Sequence, residues 1–260
     1  MKVQKHILCL FVGLLMTPSA NLFAQTATQE KVDAKTVIAN CIEASGGEMA
    51  HKEIESVAVK ATMSVAAMGM EGKMYTAQKG TNSYSKVDIP NFGTEVSGHD
   101  GETVWKLSDM TGPEIIDDER RAMTLRTSKL HPLLTLEEDN ESVEYGGEEE
   151  FNGEDCHVIV LKNGDEDPMY YYFSVESSLQ VGSKITMVDP NQGKLEIVTK
   201  LADFKEIAGI QVAHSSTQEL PMGISMVTTI DSYEVNSEID ESVFAIPDEI
   251  KELMNEKDDK

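Results

Sequence analysis

The chain has 260 residues, 40% of them hydrophobic, with 46 Asp and Glu against 22 Lys and Arg and a formal net charge of −24. That length supports one or two domains with a proper core, and the charge excludes a nucleic-acid partner, because such binding needs Lys and Arg clustered over a face. It equally opposes coating of an anionic membrane, and beyond the N-terminus no apolar run is long enough to span one.

Residues 1–24 read as a cleaved secretory signal. Lys2 and Lys5 supply a positive start, residues 7–16 an apolar run, and Pro18 breaks it ahead of Leu22-Phe23-Ala24, with Gln25 as the expected mature start. Cys9 lies inside the apolar run, and no Cys stands where lipoprotein acylation requires one. Loss of Lys2 and Lys5 leaves 20 bases against 46 acids, so the mature charge is −26. The expected product is exported, unanchored and periplasmic.

Residues 25–32 are polar and read as a mobile segment. Asp33 then suits a helix N-cap, Val37, Cys41 and Ala44 fall at i, i+4 and i+7 beside Ile38 and Ile42, and Ser45-Gly46-Gly47 supplies a stop. From Ser56 the period changes to two: Val57, Val59, Ala61, Met63 and Val65 share one face, and Lys60, Thr62 and Ser64 the other. Similar runs follow at 73–78, 83–89, 94–97 and 103–107, and again at 156–161, 170–174, 181–188, 195–201, 210–217 and 224–235. Gly, Asn, Asp and Pro turns separate them, which predicts a mainly β, α+β chain: an antiparallel sandwich or barrel of about 11–12 strands.

The break at 113–141 does not alternate. Asp117-Asp118-Glu119 places acids at a helix start, and Ala122, Met123, Arg126, Leu130, Leu133 and Leu134 form an irregular stripe interrupted by Pro132. The reading is a helix, a kink and a second helical turn over 117–136, which must bury its stripe on the concave face of the sheet. That makes it a candidate lid. Residues 248–260 read as a charged tail.

Asn152-Gly153-Glu154-Asp155-Cys156-His157-Val158-Ile159-Val160-Leu161, then Tyr170-Tyr171-Tyr172-Phe173 to Ser178-Leu179, Asp203-Phe204-Lys205-Glu206-Ile207-Ala208-Gly209-Ile210 and Ile239-Asp240-Glu241-Ser242-Val243-Phe244 with Pro247 form an ordered set. Ala44-Ser45-Gly46-Gly47 and Asp100-Gly101-Glu102-Thr103-Val104-Trp105 precede it. In order and spacing these motifs resemble the periplasmic lipoprotein carriers and outer-membrane lipoprotein-sorting proteins of LolA-like fold, over residues 33–247. The resemblance implies an incomplete antiparallel barrel wrapped over helices, with an apolar cavity that shelters lipoprotein acyl chains. It also implies two partners, an inner-membrane ATP-driven release complex and an outer-membrane acceptor. Acceptors in that system are lipidated, so a chain without an acylation Cys falls on the carrier side.

The expected cavity wall is Val59, Met63, Val65, Met74, Met187, Leu195, Ile197 and Met226 from strands, with Met123 and Leu130 from the insert. Met side chains suit a surface that re-packs around variable chains, and they equally serve as ordinary core filler. The three arginines, Arg120, Arg121 and Arg126, lie within seven residues on the insert beside Lys129. They fit an anionic headgroup or acidic partner, or else ordinary helix charge pairing such as Asp117 with Arg121.

His51, His99, His131, His157 and His214 show no metal-ligand spacing, and no nucleophile or phosphate-loop motif is present. The expectation is therefore no enzyme, no metal and no cofactor. Cys41 and Cys156 permit one disulfide or serve as two buried hydrophobes. The acid runs at 137–139, 148–150 and 257–259 are placed in loops or the tail. The function expected is a soluble, monomeric carrier of lipoprotein acyl chains or other lipid; the alternative is an envelope sensor on the same fold that recognises lipoproteins or a protein partner.

Overall fold

A computed structural model describes residues 32–116, 118–189 and 193–258. The expected signal and mobile segment, and Asp117 with its proposed partner role, lie outside the described residues. Two helices, α1 (Ala34–Ala44) and α2 (Gly47–Lys52), lead into strands β1 (Ser56–Val65), β2 (Met70–Lys79), β3 (Asn82–Ile89), β4 (Gly93–His99), β5 (Val104–Ser108) and β6 (Gly112–Ile116). Helix α3 (Asp118–Thr127), a 3-10 turn at Pro132–Thr135 and α4 (Leu136–Asp139) form the insert. The second run is β7 (Ser142–Phe151), β8 (Glu154–Lys162), β9 (Met169–Ser174), β10 (Gln180–Asp189), β11 (Gly193–Ile207), β12 (Ile210–Leu220) and β13 (Ile224–Val235), and α5 (Asp248–Asp258) closes the chain.

All these strands form one antiparallel sheet of 13, in the order β6-β5-β4-β3-β2-β1-β13-β12-β11-β10-β9-β8-β7. It does not close: β6 and β7 remain as edges. The fold is therefore the incomplete antiparallel barrel expected, with two more strands than the eleven periodic runs. Strand β6 falls inside the stretch read as non-alternating, and β7 carries the acids Glu148–Glu150, which were expected in a loop. Both run along sheet edges, where one side meets solvent or an irregular cover and the apolar alternation is weak.

The sheet curls where residues are inserted. Ala61 pairs with Ile230 and Lys60 with Ser232, which leaves Asp231 as an extra residue in β13. Similar shifts occur in β7 at Tyr145/Gly147 and in β10 at Gln180/Gly182. Each bulge bends its strand and raises the local twist. Close backbone approach is set by glycine: a Cβ on Gly98 stands 2.8 Å from the Trp105 ring, and one on Gly182 stands 2.3 Å from the Phe151 ring. Those two aromatic rings fill the space a side chain would take.

Both faces of the second half are buried. On one, Val37, Ile38 and Cys41 of α1 pack with Leu136 against Ile159, Leu161, Tyr171 and Phe173. On the other, Cys156, Val158, Tyr172 and Val181 gather around Phe151. Two-sided burial explains the near-continuous apolar run of β8. Helix α1 starts as expected, with Thr36 N donating to Asp33 Oδ1 at 2.8 Å, a cap that contributes about 1 kcal/mol. Cys41 and Cys156 sit in opposite-face clusters and are both free thiols, so no disulfide joins them.

Residues 248–258 of the expected charged tail form α5. After β13 the chain crosses the outer face of the first half, where Ile239 and Phe244 pack with Ala58 and Ala77, and α5 then packs on β5 and β6 with Ile250 fully buried. The spacing Ile250, Leu253, Met254 was the signal; surrounding acids masked it. No helix among the described residues is long and apolar enough to cross a membrane.

Candidate functional site

Sheet register decides which residues look inward. Ser83, His99, Val104 and Ile116 form one row across β3, β4, β5 and β6, and Ser85, Ser97, Lys106 and Glu114 form the next. These rows share a face because side chains alternate with period two. They make the floor of a cavity of about 590 Å³. Opposite stands the β10–β11 hairpin with Met187, Val188, Leu195 and Ile197, while Arg120, Met123, Thr124 and Ser128 come from α3 and the residue after it. The volume is in the range of small-molecule sites.

Helix α3 is a poorly greased cover. Met123 is its buried apolar contact, and Thr124 and Thr127 turn their hydroxyls back onto the carbonyls of Arg120 and Met123 at 2.8 and 2.9 Å. Such back-bonding weakens a helix slightly. Polar latches hold it instead. His99 Nε2 lies 2.7 Å from Ser128 Oγ, Gln78 Nε2 donates to the Ser128 carbonyl, and Arg121 Nε donates to the Glu102 carbonyl. Arg126 is ion-paired with Glu166 from the loop between β8 and β9. Few apolar contacts with many polar ones mark a segment of low local stability.

A charged strip runs along one end of the floor. Glu95 Oε2 lies 4.0 Å from Lys106 Nζ, Lys106 Nζ lies 3.5 Å from Glu114 Oε2, and Arg120 Nη2 donates to Glu114 Oε1 at 2.8 Å. Acid and base alternate across β4, β5, β6 and α3. Side chains of Lys106, Glu114 and Arg120 are 31%, 33% and 31% exposed, so the strip is only partly desolvated. Beside it, burial holds the His99 imidazole below its ordinary range and favours the neutral ring.

Of the expected wall, Met123, Met187, Leu195 and Ile197 come together here, as does Arg120. Leu130 instead lines a second cavity of about 260 Å³ with Cys41, His51, His131 and Tyr233. Met74 borders an open depression with Lys60, Lys73, Lys86 and Asp231. Met63 and Val65 are buried, Val59 and Met226 are part-buried, and none of the four borders these cavities. Arg121 and Arg126 are absent from the lining and serve as latches. His51 and His131, far apart in sequence, meet edge to face with ring centroids 6.1 Å apart. Burial, and then the neighbouring His131, lower the His51 pKa.

The polar floor was missed. Ser83, Ser85, Ser97, His99 and Lys106 alternate with Tyr84, Lys86, Gly98 and Trp105, and polar residues at alternate positions look like a solvent face. Here the insert folds over that face.

No family model and no curated protein matches the chain. Solved structures do. A LolA superfamily protein from Nitrosomonas europaea is 13% identical, with a TM-score of 0.54 over 83% of this chain and 98% of its own. A domain named for outer membrane lipoprotein sorting, from Vibrio parahaemolyticus, is 12% identical, with a TM-score of 0.54 over 81% of this chain and 97% of its own. A DUF1329 family protein from Desulfovibrio piger is 12% identical, with a TM-score of 0.52 over 82% and 97%. At these identities the likeness is one of fold, and the fold is LolA-like.

Proposed function

We propose that this LolA-like chain is a periplasmic carrier that takes the acyl chains of a lipoprotein or another lipid into the cavity beneath α3 and moves them toward the outer membrane. The observation that carries the reading is the cavity itself: Met123 of α3 and Met187, Leu195 and Ile197 of the β10–β11 hairpin line one space of about 590 Å³ under a lightly packed helical cover. Burial of acyl methylenes contributes about 0.8 kcal/mol each, so apolar walls alone hold a chain firmly. Release then requires a competing acceptor rather than a reaction, which agrees with a binding role and no catalytic one.

The names of two fold neighbours support the reading, one from the LolA superfamily and one named for lipoprotein sorting. Export follows from the signal-like N-terminus. The partners implied are a release complex at the inner membrane and an acceptor at the outer one, with the carrier itself a monomer.

The test is native mass spectrometry of the protein recovered from the periplasm of the exporting cell, before and after lipid extraction. Co-purified acylated protein or lipid, lost on extraction, is the expected result. An empty protein that also fails to take up a fluorescent acyl probe overturns the carrier reading, and a stoichiometric non-lipidated partner in its place favours the sensor.

A further inference from the structure

We infer that the cavity selects an amphiphile with a zwitterionic phosphate–ammonium headgroup of the phosphoethanolamine class, held by the Glu95–Lys106–Glu114–Arg120 strip. This rests on the reading of the cavity as a lipid site and adds what the lipid's polar end must be.

A purely acyl ligand has no use for this strip and pushes water off it. Desolvated charges are costly unless the ligand itself pairs with them. A purely anionic head adds charge beside two carboxylates in a chain that already carries −24, and like-charge contacts are opposed. A zwitterion brings its own counter-charge. Its phosphate meets Lys106 Nζ, which stands at the loose distances of 3.5 and 4.0 Å from its two carboxylates, and the Arg120 guanidinium. Its primary ammonium meets Glu95, whose side chain is half-exposed at the end of the strip. The hydroxyls of Ser85 and Ser97, paired across β3 and β4 and next in register to Lys106, face the glycerol. The chain then runs along Met187 and Ile197. Each charged contact is of the charge-assisted kind, stronger than a neutral hydrogen bond.

Trp105, the single Trp of the chain, lies in β5 between the floor residues Val104 and Lys106 with its ring behind the floor, so binding is read by dialysis with Trp fluorescence alongside. The exported protein, stripped of lipid, is titrated with palmitoyl lysophosphatidylethanolamine, the matching lysophosphatidylglycerol and palmitate. The expected order places lysophosphatidylethanolamine about tenfold or more tighter than either anionic probe, a difference of about 1.4 kcal/mol. Lys106→Gln and Glu95→Gln each reduce that preference toward unity while palmitate affinity changes little. Equal affinity for all three probes overturns the headgroup inference and leaves the carrier reading standing. Failure to bind any of them, judged by dialysis as well as fluorescence, overturns both. Should a variant not fold, the wild-type order of the three probes decides alone.

Discussion

Arg126 of α3 is ion-paired with Glu166, forty residues away in the loop between β8 and β9, and both side chains are more than four-fifths buried. The pair ties the cover helix to the half of the sheet that follows it, while the Arg120–Glu114 bond ties it to the half that precedes it. Removal of one partner leaves the other charge poorly solvated. Glu166→Ala is expected to destabilise by about 2–4 kcal/mol, with Arg126→Met/Glu166→Leu much closer to wild type. Denaturant melts check the stability, and limited proteolysis in residues 118–139 checks that the loss is local to the cover. Equal sensitivity of the double variant contradicts the pairing.

Burial lowers the pKa of His99 and of His51. The unfolded chain takes up these protons near pH 6.5, whereas the folded chain resists them. The unfolded state therefore binds more protons as pH falls through that value, and stability falls with it until the folded pKa values are passed. Unfolding by denaturant at pH 7.5 and 5.5 is expected to show lower stability at 5.5. His99→Gln is expected to flatten part of that difference. An unchanged slope contradicts a neutral buried His99.

Leu195→Trp fills the cavity from the hairpin side. Acyl-probe affinity is expected to fall at least tenfold, with a stability cost within about 1–3 kcal/mol. Met226→Ala, at a position off the cavity, is expected to leave probe affinity unchanged. Probe titration of the two variants separates a cavity wall from general Met content.

Ile250 is fully buried where α5 packs on β5 and β6. Ile250→Ala is expected to cost about 2–4 kcal/mol, read as a lowered thermal midpoint. A solvated tail predicts no change.

Burial raises both the Cys41 and the Cys156 thiol to about 11. A chain of residues 25–260 is expected to react slowly with a thiol reagent at pH 8 when native and to show two reactive thiols, Cys41 and Cys156, in denaturant. Fewer than two in denaturant indicates a bond that the opposite-face positions of these residues forbid.

Period-two alternation was legible wherever one face was apolar and the other wet, as in β1, and the helix signal was legible at Asp33 because the cap and the apolar stripe coincide. Strands β6 and β7 were not, since Gly112, Pro113, Gly146 and Gly147 and the run of Glu in β7 all argue locally for turns. Within the site, Met123, Met187, Leu195 and Ile197 were accessible from composition and position. Lys106, Glu95 and His99 were not, because a polar residue on a strand reads as solvent-facing until a helix from elsewhere in the chain is known to cover it. Charge partners such as Glu166 for Arg126 are set by tertiary structure alone.

Every neighbouring pair of strands in the sheet is also consecutive in the chain except β1 with β13. The molecule is thus two local meanders, each able to form from hairpins, sewn together by one seam between Val57 and Val235. Local hairpins close quickly and long-range pairing slowly. The seam is then the late event in folding, and until it forms, the segment holding α3 is the only covalent link between the two halves. The same few residues that cover the cavity in the finished protein act, during its formation, as the tether that sets how often the halves meet.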